Sequence, residues 1–159
     1  MPDIEFAFLA DAADARPGQK FAVIGGGVSR LGGPVFPLRH PHLALVVGLA
    51  VPAEEIGREQ DLRFIVLTPD GSEMASAQAT VVAGGPEHGR DSVLTFALDL
   101  WNLAFPVPGD YGIRILIDGE ERKRLPLVVE QRRPAARRAR AGSARANVTP
   151  PFPPPTGKA

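Results

Sequence analysis

The sequence predicts an all-β protein: a single two-sheet antiparallel β-sandwich of immunoglobulin-like or jelly-roll type, with about eight strands, followed by a disordered C-terminal tail. Three observations predict this fold. Short apolar segments with a two-residue period recur along residues 1–130, turn residues separate them, and no long stretch has the period of an amphipathic helix. A closed barrel is the alternative, because alternation alone does not distinguish a barrel from a sandwich.

The first strands are short and glycine interrupts them. Apolar residues at positions 4, 6 and 8 predict the first strand, and residues 20–24 predict the second. The second strand runs into Gly25-Gly26-Gly27, which lacks the Gly-Lys-Ser/Thr ending of a phosphate-binding loop. We expect a bulge or a close backbone approach there instead. Leu31-Gly32-Gly33-Pro34 then argues against the helix that would follow a dinucleotide-binding loop.

Residues 42–51 form the strongest strand pattern. Their odd-numbered positions are Leu or Val, whereas the even-numbered positions include the small residues Ala44, Gly48 and Ala50. Because successive side chains point to opposite faces, this predicts a strand covered on both sides near the middle of a sheet. The only segment that suits a helical turn follows it, at residues 52–55.

The second half of the domain continues the alternation. Residues 62–68 end at the turn Pro69-Asp70-Gly71, and residues 73–82 alternate weakly, as an edge strand can. Residues 93–100 and 111–117 carry rows of large apolar side chains that we expect to face the core. Asp118-Gly119 is a two-residue hairpin signal that leads into the last strand, which ends near Val129.

Two aromatic residues have structural interpretations. Pro108-Gly109-Asp110-Tyr111 resembles the corner of immunoglobulin-like sandwiches, in which a tyrosine hydroxyl binds nearby backbone, so we expect Tyr111 to be architectural. Trp101 is the only tryptophan. Of its two uses, a cap on the core or an exposed anchor, the cap is favoured.

Charge divides the chain into two parts. Residues 1–130 contain 11 basic and 18 acidic residues, a net charge of −7, and residues 131–159 contain 7 basic residues and no acid. The second part also holds 6 of the 17 prolines and little apolar surface, so burial could not offset the entropy of ordering it. We therefore predict a sandwich domain at 1–130 and a disordered basic tail rich in Arg, Pro and Ala at 131–159.

Composition excludes several kinds of functional site and indicates the cellular compartment. The chain has no cysteine, which excludes disulfides, thiolate metal sites and cysteine nucleophiles. Its first residues lack the positive charge of a signal peptide, and no run approaches the ~20 apolar residues of a membrane span. A cytoplasmic protein without a membrane span is the expectation.

The histidines form a weak candidate metal site. His40 and His42 stand two positions apart, so on a regular strand both would project to one face, but no carboxylate follows at the spacing of a cupin-type site. The remaining histidine, His88, lies in a Gly-rich loop. Since acids and serines form no catalytic pattern either, we predict no enzyme, no catalytic residue, no cofactor and no metal. A metal- or small-ligand-binding jelly-roll enzyme using His40 and His42 is the alternative.

The basic tail is the candidate for partner binding. Its arginines could hold phosphates but lack the interleaved aromatic residues that stack on bases. Non-specific nucleic-acid binding through the tail is therefore a further alternative, beside an acidic protein, an anionic membrane surface, the acidic domain itself and no selected function at all. The candidate residues are Arg132, Arg133, Arg137, Arg138, Arg140 and Arg145.

The domain resembles a family of small, uncharacterised bacterial proteins classed as a domain of unknown function. The resemblance covers about residues 3–130 and rests on residues 4–13, 24–27, 41–45, 108–111 and 117–120. It implies a compact β-sandwich and a bacterial cytoplasmic origin, and it carries over no catalytic residue. The basic tail departs from it.

Together these features predict a non-enzymatic binding or assembly module that interacts through the sandwich surface and the tail. A protein partner or self-association is the expected partnership. Edge pairing through residues 73–82 is one route to self-association, because an edge strand leaves backbone groups available.

Overall fold

The apolar alternation forms nine strands in the residues that the computed structural model describes, 1–17, 19–85 and 91–133. A 3₁₀ turn at Ala53–Glu55 occupies the predicted helical position. The strands are β1 (Asp3–Asp14), β2 (Ala22–Gly26), β3 (Arg30–Gly33), β4 (Leu38–Val51), β5 (Glu59–Leu67), β6 (Glu73–Val82), β7 (Ser92–Phe105), β8 (Gly109–Ile117) and β9 (Glu120–Gln131).

The strands assemble into two sheets. Sheet A has the order β2-β1-β4-β7, and sheet B has the order β3-β9-β8-β5-β6. Residues of both sheets form one hydrophobic core, in which Phe64 of sheet B meets Phe96 of sheet A with ring centroids 6.3 Å apart. The predicted all-β sandwich is confirmed. Both sheets are open at their edges in the described ranges, so the fold is not a closed barrel.

Strand β4 lies at the centre of sheet A, as predicted. Its odd-numbered residues from Leu43 to Val51 belong to the core between the sheets. Its small residues point to the other side, yet Ala44 and Val46 are also fully buried, at 0 % exposure. The strand is therefore covered on both faces, which requires side chains on the outer face of sheet A.

Strands β8 and β9 form the predicted hairpin. Asp118 and Gly119 both have positive φ, at 49° and 84°, which suits a two-residue turn between strands with right-handed twist. The Asp118 carboxylate accepts a 3.0 Å hydrogen bond from the Asp61 backbone N–H, which ties the turn to β5. Ile113, Ile115 and other apolar residues of the hairpin are buried in the core.

Strand β6 lies at the edge of sheet B, also as predicted.

Tyr111 is architectural. Its hydroxyl donates a 2.7 Å hydrogen bond to the Val107 carbonyl and accepts a 3.3 Å hydrogen bond from the Val107 N–H. Its ring packs edge-on against Phe105 at 5.0 Å. The predicted corner is therefore present, and it fixes the turn that joins sheet A to sheet B.

The glycine-rich segment is structural, but it contains a strand that the sequence did not predict. Gly27 and Val28 both donate backbone hydrogen bonds to the Leu9 carbonyl, at 2.8 and 2.9 Å, which is the expected close backbone approach. No helix follows the glycines, as expected, but residues 31–33 belong to β3, which pairs in parallel with β9. This pair is the exception to the predicted antiparallel arrangement.

The end of the described chain lies beside β3. Strand β9 ends at Gln131, and the Arg132 N–H donates a 2.9 Å hydrogen bond to the Gly33 carbonyl. Residues 134–159, most of the predicted tail, lie outside the described residues. In the part of the chain that is described, no helix is long and apolar enough to cross a membrane.

Replacing Tyr111 with Phe should destabilise the fold. The substitution keeps the ring but removes the hydroxyl that binds Val107, so we expect a loss of about 1–2 kcal/mol in the free energy of unfolding. Urea titration with intrinsic fluorescence measures it. Thr80→Val is the control, because it removes an exposed hydroxyl on an edge strand and should change stability by less than about 0.5 kcal/mol. Equal effects of the two substitutions would contradict the corner's role.

Candidate functional site

The outer face of sheet B is polar and internally paired. Arg124 and Arg114 of the β8–β9 hairpin both bind the Glu121 carboxylate. The Arg124 hydrogen bond lowers the pKa of Glu121 most, burial opposes it, and the Arg114 hydrogen bond lowers it further. Arg63 of β5 lies 3.3 Å from Glu73 of β6. These cross-strand ion pairs make the outer face of sheet B polar, as expected for a surface exposed to solvent.

The outer face of sheet A is apolar, and we call it the outer A face. Three successive rungs cross β1, β4 and β7: Phe6–Gly48–Thr95, Phe8–Val46–Ala97 and Ala10–Ala44–Asp99. Directly paired residues share a face, so each rung lies on the side away from the core. The large side chains on and around this face that are strongly exposed are Phe21 (41 %), Ile24 (71 %), Val93 (50 %) and Trp101 (64 %).

Aromatic rings cover the small residues of β4. Phe6 stacks on Phe8 and on Phe21, with ring centroids 6.3 and 6.0 Å apart. A Cβ atom added to Gly48 would overlap the Phe6 ring, so glycine at this position lets the ring lie flat on the sheet. The half-buried Phe6 and Phe8 thus shield β4 while presenting an aromatic surface outward.

This arrangement of β1 depends on a bulge. The sequence places Ile4, Phe6 and Phe8 in one alternating row, but the register with β4 shifts between Ile4 and Phe6. As a result Ile4 and Leu9 enter the core, while Phe6 and Phe8 lie on the outer A face. A bulge adds one residue to a strand and so changes which residues face the core.

His42 joins three strands at one end of the outer A face. Its Nδ1 lies 2.8 Å from the Asp11 carbonyl oxygen of β1, and its Nε2 lies 2.8 Å from the Asp99 carboxylate of β7. A carbonyl and a carboxylate both accept hydrogen bonds, and both ring nitrogens can donate only when the ring is protonated, so these contacts favour the imidazolium. The Asp99 hydrogen bond raises the pKa of His42, burial opposes this, and the Asp11 carbonyl adds to it.

Trp101 completes this end of the face. Its ring lies 4.2 Å from the His42 ring, centroid to centroid, and is tilted by 40°, a geometry in which a cationic imidazolium is attracted to the indole. The expectation that Trp101 caps the core was wrong. Leu100 points toward the core, so Trp101 points outward from an edge strand and is 64 % exposed.

The two neighbouring histidines do not share a face. His42 pairs with the exposed Trp101, but His40 pairs with Leu103, which is a core residue. Between these pairs Pro41, which has no N–H, faces Asn102, whose φ is +52°, and the alternation is interrupted there. The two side chains therefore lack the shared face on which the alternative of a metal site at His40 and His42 depended. The residues in the ranges described contain no group of three metal-ligating side chains, and His88 lies outside them.

Two of the six candidate arginines of the tail lie within the described residues, and four lie outside them. Arg132 and Arg133 are exposed and follow β9 directly. Arg137, Arg138, Arg140 and Arg145 lie outside the described residues. Binding of a partner or of nucleic acid by this set stays a prediction.

Comparison with known proteins identifies the family. The model of a family of unknown function, DUF6941, matches residues 5–130. The chain belongs to this family. The match agrees with the predicted extent of the resemblance and excludes the tail, and no curated protein matches the DUF6941 chain.

Solved structures resemble the DUF6941 chain only remotely. The alkylpurine DNA glycosylase AlkC of Pseudomonas fluorescens, bound to DNA containing an abasic site analog, matches with a TM-score of 0.45, 9 % identity and 81 % coverage of the chain, which spans 30 % of the glycosylase chain. The C-terminal domain of Wzt matches with a TM-score of 0.42, 14 % identity and coverage of 80 % and 72 % of the two chains.

A third solved structure has a lower score. The CARDB domain of a Pyrococcus furiosus protein, in complex with di-metal ions, matches with a TM-score of 0.35, 14 % identity and coverage of 80 % and 97 % of the two chains. At these scores the similarities carry no argument about the function of the DUF6941 chain.

The His42 contacts predict a pH-dependent stability. Because the folded-state pKa of His42 is raised, its contribution is fully present below the pKa of about 6.5 of an unfolded histidine and is lost as the pH rises through the folded-state value. Asp99→Asn should therefore lower the free energy of unfolding more at about pH 5.5 than at about pH 8.5.

Urea titrations of the wild type and Asp99→Asn at both pH values measure this difference. His40→Gln is the control, because it removes the neighbouring histidine and leaves the contacts of His42 with Asp11 and Asp99 in place. An Asp99→Asn effect that is equal at the two pH values, or larger at the higher one, would show that His42 is not held as the imidazolium.

Proposed function

We propose that this domain is a non-enzymatic protein-binding or assembly module whose working surface is the outer A face. The observation that carries this proposal is the asymmetry of the sandwich: one outer face is charged and internally paired, whereas the other exposes aromatic and aliphatic side chains. Exposed apolar surface costs free energy in water, and on soluble proteins larger patches of it mark interaction sites.

The composition of the face supports binding of a protein. Trp and other aromatic side chains supply much of the binding energy at protein interfaces because they bury large apolar areas. Trp101 at one end and Phe21 near the other are both exposed and can serve as anchors. Between them the half-buried rings of Phe6 and Phe8 form a flat, packed surface.

The rigidity of the surface supports the same function. The face is backed by β4, which is buried on both sides, and the His42 contacts hold β1, β4 and β7 together at one end. A surface built on packed strands loses little conformational entropy on binding. His42 uses both ring nitrogens in these contacts, so it is better suited to this structural role than to general base or metal-ligand chemistry.

The predicted basic tail would extend the binding surface. It follows β9, which lies between β3 and β8 in sheet B, and carries the arginines that could contact an acidic partner. The bacterial and cytoplasmic origin implied by the family resemblance, and nucleic-acid binding by the tail, stay predictions.

Affinity capture from the source cell tests the proposal. The tagged full chain should retain a protein that Phe21→Ser/Ile24→Ser fails to retain, because the Phe21 anchor and its exposed neighbour Ile24 are then lost from the outer A face. The control is Gln78→Ser/Thr80→Ala, which alters exposed residues on the outer face of sheet B. Direct binding between purified chain and captured protein should then weaken by at least about tenfold in the outer A face variant, about 1.4 kcal/mol.

Two results would refute this assignment. One is retention of the same proteins by the wild type and the Phe21→Ser/Ile24→Ser variant. The other is loss of binding in the Gln78→Ser/Thr80→Ala control, which would move the working surface to sheet B. Unchanged unfolding curves of both variants establish that the comparison concerns surfaces and not folding.

A further inference from the structure

Strand β7 is a long unprotected edge. It has 14 residues and pairs, among the described residues, only with β4. Edge strands of natural proteins are usually short, or carry proline or positive charge, since exposed backbone groups can pair with another chain. The other edge of sheet A, β2, has 5 residues, whereas β7 contains no proline, lysine or arginine and a single charge, Asp99.

The side chains of β7 distinguish it from the edge of sheet B. Strand β6 shows alanines toward the core and Ser76, Gln78 and Thr80 outward. Strand β7 shows large apolar side chains on both faces. Its core-facing residues Phe96, Leu98 and Leu100 remain partly exposed at the edge, and its outward residues Val93 and Trp101 are 50 % and 64 % exposed.

We propose that two copies of this chain pair through β7 in antiparallel orientation, with the two-fold axis at Ala97. The pairing joins two four-stranded A sheets into one eight-stranded sheet. An axis perpendicular to the sheet keeps the core faces on one side and the outer A faces on the other. It leaves Phe6, Phe8, Phe21 and Ile24 of the outer A face uncovered, so this inference goes beyond the proposed function and does not depend on it.

The register follows from the side chains. With the axis at Ala97, Trp101 lies opposite the partner's Val93, so the two exposed apolar residues of β7 cover each other. Asp99 lies opposite the partner's Thr95, which accommodates a carboxylate at an edge. On the core side, Leu98 and Leu100 lie opposite the partner's Phe96 and Leu94.

Neighbouring registers are less favourable. An axis at Asp99 would place two carboxylates directly opposite each other, which destabilises an antiparallel pair. An axis at Phe96 would place Asp99 opposite the partner's Val93 and leave Trp101 opposite an aspartate. The axis at Ala97 also uses the whole regular part of β7, which ends at Asn102, where φ is +52°.

The extent of the pairing suits a stable dimer. About ten residues of each β7 would pair, and since alternate pairs exchange two hydrogen bonds, the two copies would form about ten backbone hydrogen bonds. That number is typical of specific protein interfaces. The cross-strand apolar pairs add buried area on both faces of the new sheet.

The molar mass in solution tests the proposal. Sedimentation equilibrium or light scattering should give twice the 16.9 kDa of one chain for the wild type and the mass of one chain for Ala97→Lys, which places two ammonium groups at the axis. Gln78→Lys is the matched control on β6 and should keep the doubled mass. A wild type with the mass of one chain, or a mass that falls with Gln78→Lys and not with Ala97→Lys, overturns it.

Single cysteines test the register even if Ala97→Lys does not fold. The chain has no cysteine, so each new one is unique. Ala97→Cys should form a disulfide-linked dimer under mild oxidation, whereas two copies of Val93→Cys would lie eight residues apart along the paired strands, about 27 Å, and should not. Cross-linking of Val93→Cys instead, or of neither variant, overturns the register. Failure here leaves the capture experiment with Phe21→Ser/Ile24→Ser unaffected, so the two proposals fail separately.

Discussion

Burial of β4 on both of its faces is the constraint on which the rest of the structure depends. One face carries the leucines and valines of the core, and the other carries residues so small that nothing on β4 itself can keep water away. The aromatic side chains of β1 provide the missing cover, and Gly48 allows Phe6 to lie flat against the sheet. The second, thinner apolar layer that results is open to solvent on its far side.

That layer explains why the outer face of sheet A is apolar whereas the outer face of sheet B is charged. Sheet B needs no cover, because its outer side chains are charged and pair across neighbouring strands. Sheet A cannot use charge in the same way, because its central strand has no polar side chain between Leu43 and Val51. Its charged group, the His42–Asp99 pair, lies at one end of the face beside Trp101, where solvent is near.

Much of the fold could be predicted from the sequence because local chemistry dictates it. The alternation around Leu45 and Ile115, the Asp118-Gly119 turn and the corner at Tyr111 each have a short-range physical cause. β3 could not be predicted, because four residues with two glycines show no alternation and a parallel partner leaves no local signal. The faces of Phe6 and His40 depend on a bulge near Ile4 and on the positive φ of Asn102, neither of which follows from residue type. The cover on the outer A face could be predicted, because the row of small residues on β4 indicates a strand buried on both sides.

We propose that this protein works through sheet A, at its outer face and at its free edge, and not through sheet B. Hydrogen exchange of the wild-type chain, compared between dilute and concentrated solution, tests it most directly, since backbone amides that gain a partner exchange more slowly. The account predicts that amides of β7 between Ser92 and Trp101 slow with concentration while those of β6 do not change. Slowing confined to β6, or no slowing in either strand, would contradict it.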